Sequence, residues 1–106
     1  MEAMADRAFW GRMVESAVGA HLANAALTGS CEVFYWREGN HEVDFVVKSG
    51  KSLVAIEVKS ERAEKLLPGM EEFRELHHPT RTLLVGGDGV SLEEFLLHPV
   101  EYWLRD

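Results

Sequence analysis

The chain has one cysteine, Cys31, three prolines, and no apolar run near the roughly 20 residues that a membrane-spanning helix needs. A lone cysteine excludes an internal disulfide and any cysteine-rich zinc site. Positive charge is scarce: 11 Lys and Arg stand against 18 Asp and Glu, for a formal net charge of −7. That balance argues against a protein that coats nucleic acid by charge alone. There is no GxxxxGK[ST] phosphate loop; the Gly-rich stretch at 86–89, GGDG, lacks the lysine and hydroxyl that such a loop uses. The start of the chain lacks a signal-peptide pattern, because Asp6, Arg7, Arg12 and Glu15 interrupt its apolar positions. The expectation is a soluble, cytoplasmic protein with no membrane partner.

A length of 106 residues with 46% hydrophobic content suits one small domain with a modest core. Charge is uneven: residues 1–65 hold eight Lys and Arg against ten Asp and Glu, and residues 66–106 hold three against eight. A polyanion would approach the first part, near Arg37, Lys48, Lys51, Arg62 and Lys65.

Periodicity predicts a helix over 7–28, with Trp10, Val14, Val18, His21, Leu22 and Ala25 on one face, Asp6 as cap and Thr28-Gly29 as end. Three strands follow at 31–37, 42–48 and 52–59, joined by connections too short for anything but an antiparallel meander. A helix at 66–77, opened near Pro68 and closed by Pro79, leads to a strand at 81–85 that returns by a parallel crossover. Ser91 and Glu94 form a capping-box pattern for a short helix ending near Leu97, and the tail VEYWLR reads as a strand or a docked turn. The expected fold is α/β, a mixed four-stranded sheet flanked by helices in the order α-β-β-β-α-β.

Charge stands out where strands are apolar. Asp44 lies inside EVDFVV, and Glu57 and Lys59 lie inside LVAIEVKS. Burying one charge near a core is costly, and several together demand pairing, a metal or a catalytic task. Strand alternation puts Glu42, Asp44 and Val46 on one face of their strand, and Glu57 and Lys59 together on one face of theirs. An antiparallel register could bring Asp44 beside Glu57. Two such carboxylates suit Mg²⁺ or Mn²⁺, with the Val58 carbonyl as a third oxygen. Lys59 would hold the attacking water or stabilise developing negative charge. Glu15, at the border of the first helix's apolar stripe, would hold a further water or complete a second metal site. The plain alternative is a partly exposed sheet face whose ion pairs are worth about 0–1 kcal/mol each.

The stretches WGRMVESAVGAHL at 10–22, FYWREGNHEVDFVV at 34–47 and LVAIEVKS at 53–60, with GMEEFRELH and RTLLVGG later, resemble the PD-(D/E)XK nuclease-like superfamily. They are more specifically similar to the C-terminal DUF4143 domain of AAA+-type ATPases. The resemblance implies a restriction-endonuclease-like αβββαβ core. It matches Glu15 to the helix carboxylate, Asp44 to the motif aspartate, and Glu57 and Lys59 to the ExK pair; Val43 replaces the usual proline. The activity implied is metal-dependent hydrolysis of DNA, with Asp44, Glu57 and Val58 at Mg²⁺ or Mn²⁺. The alternative is a non-catalytic regulatory or oligomerisation domain. The implied partners are DNA, an ATPase domain in cis or trans, and further copies of the chain. The implied organisation is one nuclease-like domain over 1–106, either the C-terminal part of a larger ATPase or a truncated relative.

Other residues read as structural. His21 belongs at the core boundary, and His77 and His78 at a helix end. Cys31 opens a strand and reads as structural, and Trp10, Phe34, Trp36 and Phe45 belong in the core rather than on a base-stacking platform. His41, in the turn before Asp44, reads as a turn residue within reach of a phosphate or metal.

Overall fold

The computed structural model describes residues 3–39, 41–59, 68–87 and 89–104. Its first element, α1, runs Ala3–Leu27. Asp6 therefore stands inside the helix and not at its cap. Val14, Val18 and Leu22 recur every four residues and are buried, a stripe that faces the sheet. The helix ends as the sequence indicates. Gly29 takes φ 83°, its amide donates to the Ala26 carbonyl, and the Ser30 amide donates to Ala25. This paired closure needs a residue free to enter the left-handed region.

Three strands follow, β1 Glu32–Glu38, β2 His41–Ser49 and β3 Ser52–Val58, then helix α2 Pro68–His77, strand β4 Arg81–Val85, and short helices α3 Leu92–Leu97 and α4 Val100–Trp103. Residues 66 and 67 of the predicted second helix lie outside the described residues, as do Arg62 and Lys65. The sheet order is β1-β2-β3-β4. The first two pairings are antiparallel and β3 with β4 is parallel. The mixed four-stranded sheet flanked by helices is thus as expected. The Ser91 hydroxyl accepts from the Glu94 amide at 3.1 Å and caps α3.

Each sheet face has its own core. On one, Val18, Leu22, Val47, Val54, Ile56, Val85, Phe95, Val100 and Trp103 pack together, bringing α1, α3 and α4 onto the strands. On the other, Val43, Val46 and Ala55 pack against Met70 and Phe73 of α2, with Trp36 alongside. The tail that read as a strand or a turn is a helical turn. Pro99 opens it, and Val100, Trp103 and Leu104 dock into the first core, with Trp103 Nε1 donating to the Phe95 carbonyl at 3.2 Å.

Phe34, expected in the core, is 48% exposed, because β1 is an edge strand with little covering it. The side chain of Trp10 lies outside the described residues. No described helix is long and apolar enough to cross a membrane.

Among the described residues the β1–β2 register shifts at one place, where β2 carries an extra residue. Phe34 pairs with Val46 and Trp36 with Val43, so Tyr35 alone faces two residues, Asp44 and Phe45. This is a β-bulge, a device that bends a strand and re-aims a side chain. Its effect is visible in the packing: Val43 and Val46 both join the α2 core, while Phe45 and Val47 join the other. The expectation that Asp44 shares a face with Val46 is corrected by that extra residue.

Candidate functional site

The bulge lies where β2 and β3 stop pairing regularly. Their last paired residues at this end are Phe45 and Ile56. One step further, side chains replace the backbone ladder. The Asp44 amide donates to Glu57 Oε1 at 3.1 Å, and the Val58 amide donates to Asp44 Oδ2 at 2.8 Å. Each carboxylate thus accepts an amide from the other's strand. Asp44 and Glu57 stand side by side, brought there by the antiparallel register and the bulge together.

Glu57 is only 8% exposed, and Asp44 is partly buried. Burial pushes the Glu57 carboxyl up to about 7, and the charge of Asp44 adds to that push; the Asp44 amide and the charge of Lys59 pull it back. Burial also raises Asp44, against the pull of the Val58 amide, Glu57 and Lys59, and Glu42 adds to the rise. Glu15, on the exposed side of α1, is raised by partial burial, then by the charges of Asp44 and Glu42 and a hydrogen bond with Asp44. Carboxylates that raise one another's pKa share a region of concentrated negative potential.

Lys59 follows β3 and is held through its backbone. Its amide donates to the Val85 carbonyl at 2.9 Å. Gly86, at φ 89°, lies against the Lys59 carbonyl so closely that a β-carbon there would collide with it. The glycine turn after β4 thereby fixes the backbone that carries the lysine.

A family model described as "Domain of unknown function (DUF4143)" matches residues 10–100. The chain belongs to the DUF4143 family. No curated protein and no solved structure matches it.

In this DUF4143 domain the structure brings together Glu15, Asp44 and Glu57 of the sequence-predicted set, with the Lys59 charge felt at both strand carboxylates. Val58 reaches the site through its amide, which is bonded to Asp44. Among the described residues no three His, Cys, Asp or Glu side chains are placed to hold a metal ion together. The hard oxygens of Asp44 and Glu57 still fit Mg²⁺ or Mn²⁺, ions that keep several waters and often take only one or two protein carboxylates beside a substrate phosphate.

Two pairings escaped sequence reasoning. Tyr35 donates to Glu42 Oε2 at 2.8 Å, and that bond, with the Glu42 charge, raises the phenol. The available signal was the position of Glu42, two residues before Asp44 in the same strand. His41 is bonded through Nδ1 to Glu72 of α2, which ties the start of β2 to that helix. His21 Nε2 meets the His98 carbonyl at 2.9 Å, a boundary role as expected.

Proposed function

We propose that this DUF4143 domain hydrolyses phosphodiester bonds in nucleic acid, DNA foremost, through a PD-(D/E)XK-type site. The observation that supports the reading is the convergence of Asp44 and Glu57 at the bulge, both with raised carboxyl pKa, beside Lys59 and Glu15. Maintaining mutually repelling carboxylates in a half-buried place costs stability, and a divalent cation would offset it. Mg²⁺ or Mn²⁺ held by Asp44 and Glu57 would supply positive charge opposite the phosphoryl oxygens.

The chain's own groups divide the remaining work. The Lys59 ammonium stabilises negative charge that develops on the phosphate. Glu15, exposed and facing Asp44, accepts a hydrogen bond from the attacking water and orients it. The Val58 amide fixes the Asp44 rotamer. An ATPase domain, in cis or in trans, is the partner this reading carries with it.

A second reading has its own support. Each of the two carboxylates already accepts a backbone amide, which is work a purely structural clamp would do. On that reading the domain is a regulatory or oligomerisation module of an ATPase.

Mn²⁺ titration calorimetry at low salt, on wild type and Asp44→Ala, separates the two. Binding by wild type that Asp44→Ala abolishes, with circular dichroism unchanged, is the expected result. Cleavage of DNA that Asp44→Ala and Glu57→Ala both eliminate would complete the case. Metal binding that survives Asp44→Ala, or cleavage indifferent to it, overturns the assignment.

A further inference from the structure

The edge of the sheet at β1 carries chemistry that the carboxylate site does not use. Among the described residues β1 pairs only with β2, so one side of its backbone has no strand beside it. An open edge is a template for another strand unless something covers or repels it. Phe34 is 48% and Tyr35 65% exposed. As consecutive strand residues they point to opposite sheet faces. An added strand would find an aromatic ring to cover on each face.

The charges say which strand fits. Exposed Glu32 and Glu38 stand at the two ends of β1. They share a face with Phe34 and Trp36, giving the order acid, aromatic, aromatic, acid along one side. Across the sheet, Lys48 pairs with Glu32, and Arg37 pairs with Glu42, so bases are present, but on β1 acids outnumber them. A second copy of β1 laid antiparallel, with Tyr35 opposite itself, would set Glu32 against Glu38 at both ends. Like charges directly opposite are destabilising. A copy is repelled at the positions where a basic strand would be attracted.

We propose that the β1 edge binds an extended segment of a partner protein that carries Lys or Arg at its ends and apolar residues between, added as a fifth strand. Backbone hydrogen bonds to β1 supply affinity, and the contacts with Glu32, Phe34 and Glu38 supply selectivity. The proposal is independent of the phosphodiesterase reading.

The test uses a fluorescein-labelled seven-residue peptide with Lys at its first and last positions, Val at the third and fifth, and Thr elsewhere. Its control carries Glu in place of both Lys. Anisotropy titrations at low salt should show the Lys peptide binding about tenfold or more tighter than the Glu peptide, a preference that weakens with added salt. Phe34→Ala with Tyr35→Ala should cut that affinity about tenfold, and Glu32→Lys with Glu38→Lys should reverse the preference. All four positions are exposed, and circular dichroism checks that the variants fold. No binding, equal binding of the two peptides, or binding indifferent to the aromatic pair overturns the proposal. So does sedimentation of wild type as a dimer that the aromatic variant converts to monomer, since the occupant would then be a second copy.

Discussion

The two ends of the β2–β3 pair are built on different principles. At one end the ladder runs regularly from Val47 and Val54 to Ser49 and Ser52, where Gly50 turns the chain at φ 58°. Val47 and Val54 are fully buried there, and apolar packing holds the strands. At the other end the ladder stops at Phe45 and Ile56, and carboxylates hold the strands by accepting amides. Apolar packing carries no group that titrates or binds a cation. Carboxylate bonds respond to pH and to cations. The sheet is thus fixed at one end and chemically responsive at the other.

The largest effect should come from removing the packing that borders the responsive end. Ile56 is 1% exposed and forms the last regular pair. Ile56→Ala should cost about 2–5 kcal/mol of unfolding free energy by urea titration. A loss well under 1 kcal/mol would mean that the carboxylates, not the core, set the strand positions. Next, the two turn glycines contrast the ends. Gly86→Ala combines a left-handed backbone with a collision against Lys59 and should cost about 2 kcal/mol or more; Gly50→Ala meets open space and should cost about 1 kcal/mol. Equal losses in thermal melts would remove the special role of the Gly86 turn.

The smallest effect, moderated by solvent screening, is the pH dependence. Folded Glu57 holds its proton up to about 7, against 4.5 for an ordinary glutamate. The folded state therefore binds more protons than the unfolded one between those values. The stability this confers is full below pH 4.5 and is lost as the pH rises through about 7. Asp44, also raised, acts in the same direction. Urea midpoints across this window should fall with pH in wild type and flatten in Glu57→Gln, and an unchanged slope would assign the titration elsewhere.

The order of elements was legible because β-branched and aromatic residues crowd the strands, and glycine, proline and the Ser91 cap mark the breaks. The neighbourhood of Asp44 and Glu57 was legible too, since charge inside apolar strands has few uses. The bulge was not. Glu42 to Phe45 alternates and Phe45 to Val47 is a continuous apolar run, which a strand buried on both faces also shows, and no glycine or proline betrays the extra residue; only the partner strand reveals it, through Tyr35 facing two residues. Exposure of Phe34 was hidden for a related reason. An aromatic strand residue reads as core until its strand is known to be an edge. The helical turn at Val100 needed the tertiary fold, because four residues carry too little periodicity to declare themselves.

That last turn bears on where this fold should be cut. The family match stops at residue 100, yet Trp103 and Leu104, 4% and 7% exposed, belong to the principal core. Trimming the polypeptide to the family boundary would remove an indole stacked on Phe95 and leave a pocket lined by Arg81 and His98 in its place. A recombinant fragment should keep the chain through Leu104, and a carboxy-terminal tag belongs on a spacer beyond it.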